Sequence, residues 1–402
     1  MNSSKDNINK VLESGKGSDN EPKPVNSKKT RKRMPVWMLV ATDILLAAFC
    51  LGIFSLYEIV LPHKLKSEAL VVASAKDMQD NNFELPSFDN EDSQAVNASG
   101  NVTNTPDKDN STGQTTDSTS TDKPSRRART GDFTNYSNTG TDNLSADDAD
   151  SEAFSAKEKV ITEINSYQSD KLQFTTDKIE IGSGNDKITY YLSDIYVTNV
   201  KYLKTAFASG TYGKNMTDSA ANMAVENNAL LAISGDYYGN SENSVVIRNG
   251  ILYRSTGNDA DVCVIFTDGT MKTYAPEDFD ADEVISQGAW QAWTFGPALL
   301  DASGNIPDSF NTTDYLYENH PRSAIGYVEP GHFVFVVVDG RSPGYSRGAN
   351  VNELAQIMID AGCVAAYNLD GGKSASMVYD GEYVNVPAQG GRDISDIIYL
   401  GE

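Results

Sequence analysis

Residues 367–377 read Tyr-Asn-Leu-Asp-Gly-Gly-Lys-Ser-Ala-Ser-Met. They put one carboxylate, Asp370, beside Gly371, Gly372, Lys373 and Ser374, directly after the apolar run Val364-Ala365-Ala366. A strand that stops there presents Asp370 at its end. The glycines let the backbone turn sharply and offer N–H groups to an anion. Asp-Gly is also an ordinary hairpin signal, so the pattern gains meaning from its repetition. Ser234-Gly235-Asp236 and Val338-Asp339-Gly340-Arg341 follow apolar runs in the same way. If these ends converge, Asp236, Asp339 and Asp370 share one cleft and are candidates for acid–base or nucleophilic work. Arg322, Arg341 and Arg392 stand in similar glycine-flanked or strand-end settings, and a guanidinium fork matches phosphate oxygens. Together they point to acid–base chemistry on an anionic substrate such as a phosphorylated sugar. The competing reading is that the arginines bridge to the aspartates and hold the fold.

Other chemistries are poorly supplied. The three histidines, His63, His320 and His332, have no ligand-pair spacing, which argues against zinc. There is no Gly-x-Ser-x-Gly elbow and no P-loop. The expected chemistry requires no cofactor, although clustered aspartates and carbonyls would suit Ca²⁺ as an accessory ion. Trp290 and Trp293 would serve as a sugar-stacking platform or as core, with core the better fit. Cys50, Cys263 and Cys363 make neither a disulfide framework nor a metal site and read as small buried hydrophobes.

The elements that must carry these residues come from patterning. Apolar, β-branched runs give strands at 187–197, 229–233, 263–266, 332–338, 364–369, 376–379 and 397–400. Asn249-Gly250 and Asp268-Gly269 turn hairpins. Helices are expected at 219–228 and 352–361, and a further helical pattern at 153–167. This is an α+β chain: one globular, mixed-sheet domain over 151–402. Ahead of it stand a basic tail (1–35), an apolar signal anchor (36–61) and a stalk with a Ser/Thr/Asn/Asp-rich tether (62–150), weakly helical at 63–82 and too poor in apolar residues beyond 85 to bury a core. The 26 residues of the anchor reach about 39 Å as a helix, enough to cross a bilayer, with Asp43 and Glu58 near its ends placed at the interfaces.

Charge separates the halves. Residues 1–33 carry nine Lys/Arg against four Asp/Glu, whereas the whole chain has net charge −23. The basic block abuts the apolar span, so it reads as a topology signal that keeps the N-terminus cytoplasmic and the domain outside. The acidic remainder argues against nucleic acid as a partner.

Six or seven motif blocks in order resemble the phosphodiester glycosidase family over residues 187–402. They are Ser234-Gly-Asp-Tyr-Tyr-Gly239, Phe295-Gly-Pro-Ala-Leu299, Pro321-Arg-Ser-Ala-Ile-Gly326, Val338-Asp-Gly-Arg341, Asn352-Glu-Leu-Ala355, Asn368-Leu-Asp-Gly-Gly372 with Ser374 and Met377, and Arg392 through Ser395-Asp396. The resemblance implies a hydrolase that cleaves the bond between a sugar's anomeric carbon and a phosphodiester. Its site would draw on Asp370, Asp339 and Asp236 for catalysis. Arg322, Arg341, Arg392, Asn368, Gly371, Gly372, Ser374 and Lys373 would bind substrate. The implied partner is a phosphorylated glycan of a cell envelope or exopolysaccharide. Lys373 stands where the family usually has a third glycine. It would add a phosphate contact or obstruct the cleft, and the latter leaves a second reading, a non-catalytic phosphoglycan-binding module.

Overall fold

The computed structural model describes residues 35–67, 69–74, 76–78, 81–86, 154, 157–240, 242–257 and 259–402. The basic block at 28–33 and the expected tether beyond residue 86 lie outside these. The chain divides into two units, 1–56 and 57–402.

In the first unit α1 (Val36–Ser55) has no buried residue. With the π-helical turn Leu56–Val60 it makes 25 residues, long and apolar enough to cross a membrane.

The second unit is α+β. Its strands form three antiparallel sheets and one short ribbon. The first sheet runs, in spatial order, β16 (Ala365–Leu369), β14 (Arg322–Glu329), β15 (His332–Val338), β5 (Ile188–Val197), β4 (Leu172–Ile181) and β3 (Lys159–Gln168). The second runs β18 (Glu382–Tyr383), β17 (Met377–Tyr379), β8 (Leu231–Ser234), β19 (Asp396–Leu400) and β6 (Leu203–Phe207). The third runs β12 (Met271–Tyr274), β11 (Val262–Phe266), β13 (Ala289–Thr294), β9 (Val245–Arg248), β10 (Ile251–Ser255) and β2 (Leu70–Val71). β1 (His63–Lys64) pairs with β7 (Gly213–Lys214). Helices α2 (Ala220–Glu226), α3 (Ala281–Ser286) and α4 (Val351–Asp360) pack outside the sheets.

β15 shows why the first sheet is continuous hydrophobe rather than alternating. Phe333, Phe335 and Val337 enter a central core shared by all three sheets. Val334, Val336 and Val338 enter a second core under α4 with Leu354, Ala355 and Met358. A sheet buried on both faces needs apolar residues at every position. The sequence places α4 at Asn352. The helix begins one residue earlier because Asn350 caps it, its side chain accepting from Glu353 N at 2.9 Å while Glu353 Oε2 accepts from Asn350 N at 3.1 Å.

Two expectations fail. Within the expected helix 153–167, residues 159–167 are not helical: they form β3, which pairs along its whole length with β4. Its Val160, Ile161, Thr162 and Ile164 are β-branched, and cross-strand pairing outweighs the helical spacing of its charges. The described residues of 63–82 are not a free-standing helical stalk either. They form a strap that docks on the domain through β1 and β2, with Met78 fully buried in the central core. Met78, Leu70 and Val71 belong to segments too short to show any period, so their partners are invisible in sequence.

Two of the three cysteines are small buried hydrophobes as expected: Cys263 and Cys363 are unpaired and lie in different cores, with burial pushing both thiols up. Cys50, on α1, is exposed, so that expectation fails for it. Trp290 and Trp293 are both core.

Candidate active site

Strand register brings the first site residues together. Ser323 of β14 faces Leu369 of β16, and Arg322 faces Val338 of β15. The start of β14 therefore lies between the ends of its two neighbours, and Asp370 and Asp339 follow those ends directly. The second sheet joins at the same level. Ser234, the last residue of β8, shares a 2.7 Å hydroxyl–hydroxyl bond with Ser323 and donates to the Asp370 carbonyl at 3.1 Å. Asp370 N donates to Gly235 O at 3.1 Å. Arg392 arrives on the loop before β19, the strand next to β8.

A cleft of about 510 Å³ opens over this junction. Arg322, Arg341, Arg392, Asn368, Asp370, Gly371, Gly372 and Lys373 line it. Among the described residues, Asp370 is the only carboxylate in the lining. It accepts both of its ion-pair bonds from Arg392 Nη2, at 3.1 and 3.0 Å, while Arg392 Nε donates to Ser374 Oγ at 2.6 Å. The Arg392 guanidinium also lies 5.6 Å over the Tyr237 ring. Burial pushes the Asp370 carboxyl above the usual carboxylate range, and the Arg392 charge partly opposes that.

The other two arginines are held differently. Arg322 is buried and donates to three carbonyls, Ala349 O at 2.9 Å and Leu316 O and Glu318 O at 2.8 Å each. Among the described residues no carboxylate pairs with it. Burial first, and the neighbouring Arg341, push it down to about 10, so it keeps its charge at neutral pH. Arg341 is exposed, and its Nη2 donates to Tyr315 OH at 2.8 Å and faces His320 Nδ1 at 3.4 Å. Its φ is +58°, a left-handed conformation that costs a non-glycine residue roughly 1 kcal/mol or more. Arg341→Gly should therefore hold or raise the urea midpoint while weakening binding of an anionic ligand about tenfold. A fall in stability would mean that the arginine holds its loop.

Asp236 and Asp339 lie outside the lining. Asp236 is buried, with Oδ1 accepting from Arg248 Nη2 at 2.5 Å and Oδ2 from Thr294 N at 3.0 Å. Arg248 Nε also donates to Asp396 Oδ2 at 3.0 Å. Asp339 accepts from Asn385 Nδ2 at 2.8 Å, Tyr345 OH at 2.8 Å and Val386 N at 3.0 Å. It thereby ties together the loops that lead to Arg341 and Arg392. Ser374 is buried and touches the site through Arg392. Asn368 Nδ2 donates to Gly296 O at 2.7 Å, and the Gly372 amide is taken by Pro321 O at 2.9 Å. The Lys373 side chain is exposed at the cleft.

Sequence reasoning missed His320, Tyr315, Thr312, Thr313 and Phe295, which also line the cleft. His320 stacks on Tyr315 with ring centroids 4.2 Å apart. Burial, then Arg322 and Arg341, push its imidazole below the usual value, so it is neutral at pH 7. Its place beside Pro321-Arg322 was the available signal. Tyr315 sits in a short 3-10 turn, Asp314–Tyr317, whose sequence carries none.

Known proteins extend the resemblance. Residues 227–401 match the family model described as phosphodiester glycosidase. The SPbeta prophage-derived protein YomE of Bacillus subtilis strain 168 is 34% identical over 185 residues, 44% of this chain and 28% of that protein. The N-acetylglucosamine-1-phosphodiester alpha-N-acetylglucosaminidase of Bos taurus is 37% identical over 67 residues, 17% of this chain and 12% of that one. The chain thus spans under a third of these relatives where it matches them. The catalytic domain of the zebrafish enzyme of the same name, solved as auto-inhibited by its pro-peptide, aligns at 18% identity with a TM-score of 0.46, over 62% of this chain and 92% of that one. Arg322, Arg341, Asp370 and Arg392 all fall within 227–401, and over that stretch this chain carries the sequence of the phosphodiester glycosidase family.

Proposed function

We propose that this protein hydrolyses a sugar-1-phosphodiester, acting outside the cell on a phosphorylated glycan of an envelope or exopolysaccharide while α1 anchors it in the membrane. The observation that carries the reading is the cleft itself: one buried carboxylate, Asp370, among three arginines. The substrate phosphate would lie between Arg322 and Arg341: Arg341 offers donors to its oxygens, and the buried Arg322, its Nε and Nη2 already engaged by carbonyls, adds positive charge. The bond from the anomeric carbon to the phosphate oxygen breaks, water supplies the new hydroxyl, and a phosphate monoester departs. With no second carboxylate in the lining, Asp370 takes the proton-transfer or nucleophilic role. The arginines stabilise the leaving phosphate in place of a general acid. Aromatic faces at Phe295 and Tyr315 would contact the sugar.

The test incubates residues 57–402 with activated sugar-1-phosphodiesters and measures free sugar. The fragment must begin at 57 so that the docked strap is kept. Sugar release abolished by Asp370→Asn supports the proposal; no release from any such substrate overturns it. Repeating the assay with a chelator and with added Ca²⁺ decides whether that ion takes part.

A second reading, a phosphoglycan-binding module, is favoured by the closed Asp370–Arg392 pair, which leaves the carboxylate engaged. Binding without turnover in the wild type, with release gained on Lys373→Gly, would establish it.

The basic block before α1 favours a cytoplasmic N-terminus with the domain outside. Protease added to intact cells should remove the domain. Removal only after permeabilisation would reverse the orientation.

A further inference from the structure

We infer that residues 61–86 bind the domain as a self-sufficient docked segment, so that a break anywhere in 87–153 leaves helix and domain in one non-covalent complex. This inference does not depend on the reaction proposed above.

The strap has a built receptor. His63 and Lys64 pair with Lys214 and Gly213, and Leu70 and Val71 pair with Leu252 and Ile251. Val72 N and Ala73 N both donate to Gly250 O, at 2.8 and 3.1 Å. Asn199, itself buried, donates through Nδ2 to Met78 O at 2.8 Å and to Asn81 O at 3.1 Å. Asn81 Nδ2 donates to Thr267 O at 3.1 Å, and Phe83 N to Thr198 O at 2.7 Å. Met78 fills a site in the central core with no exposed surface.

Glycines shape the receptor. A Cβ on Gly250 would overlap the Ala73 carbonyl, and one on Gly269 or Gly331 would overlap the Phe83 ring. All three have positive φ, between +73° and +86°. Two come from hairpin turns of the third sheet and one from the β14–β15 turn, so three separate turns leave room for one strap.

The far end of the intervening chain is also fixed: Phe154 is buried in the second core. Residues 87–153 therefore join two docked ends. They add effective concentration for the strap at its receptor. Main-chain pairing, a buried methionine and a seated phenylalanine are the ingredients of strand-addition recognition.

The experiment uses the full chain in detergent with a protease recognition sequence inserted between Ser118 and Thr119. After cutting, size-exclusion chromatography should show both pieces in one micelle-bearing peak, with the melting temperature close to that of the uncut chain. Denaturant should separate them. Gly269→Val and Gly331→Val together should cause at least about a tenfold loss of the retained C-terminal piece, equivalent to about 1.4 kcal/mol of binding. Phe83→Ala removes the ring without crowding the receptor and should produce loss in the same direction, which covers a double variant that does not fold. If the wild-type pieces separate on cutting, or if all variants stay together as the wild type does, the inference is wrong.

Discussion

Asp370→Asn should lower turnover by about 10²-fold or more, the usual weight of an acid–base group, and leave the urea-unfolding midpoint within about 1–2 kcal/mol of wild type. The change is nearly isosteric, and the amide still reaches the Arg392 and Ser374 neighbourhood. The pH profile separates chemistry from architecture. Asp370 must be charged to act, and burial has raised it above the usual carboxylate range. The acidic limb of kcat/KM should therefore lie above the ordinary aspartate value. Arg392 is the cation that opposes this rise, so Arg392→Gln should move the limb to still higher pH. An acidic limb that Arg392→Gln leaves in place would assign the titration to another group. A variant at Asp370 that unfolds the domain would make the residue structural.

Arg248→Met should cost about 3–5 kcal/mol of stability, because it strands two buried carboxylates without their cation. Arg248 lies between Asp236 and Asp396, 2.5 and 2.9 Å away, and all three side chains are buried. Asp396 Oδ1 has no hydrogen-bond partner among the described residues. Burial raises the Asp396 carboxyl well above the usual range, with Arg248 opposing. A carboxyl whose folded-state value is raised favours folding below its unfolded value and withdraws that support as pH rises through the folded one. The loss on Arg248→Met should thus be largest at neutral pH and shrink in acid, where the stranded Asp396 takes up a proton. Chemical denaturation at pH 5 and pH 8 measures it. A cost independent of pH would show that Arg248 contributes by packing on Trp293, 5.7 Å from its guanidinium, rather than by charge.

The two experiments mark where the sequence was legible. Asp370, Arg322 and Arg341 could be read because each follows or opens an apolar run that had to be a buried strand, and strand ends converge where neighbouring strands are antiparallel. The same logic grouped Asp236 and Asp339 with them. Their geometry is different because each finds its partners in segments with no chemical signature. Arg248 is a lone charge at the end of a hairpin strand, and Asn385 and Val386 lie in a loop. A partner 12 residues away in sequence and one 148 away look alike before folding. β3 was misread for a related reason. Its charges recur at helical spacing, and only the length of its pairing with β4 decides for strand. The strap left no pattern at all, since pairs of two residues have no period to detect.

That strap also has a mechanical meaning. Tension entering the second unit at Tyr57 would first peel the two-residue pairs of β1 with β7 and β2 with β10, and would then have to extract Met78 from the core. Once it yields, the strap's 26 residues, 61–86, would pay out about 90 Å of chain at ~3.4 Å per residue. The protein thus holds a reserve of length behind a catch, and the force needed to open that catch sets when the domain can reach further from its point of attachment.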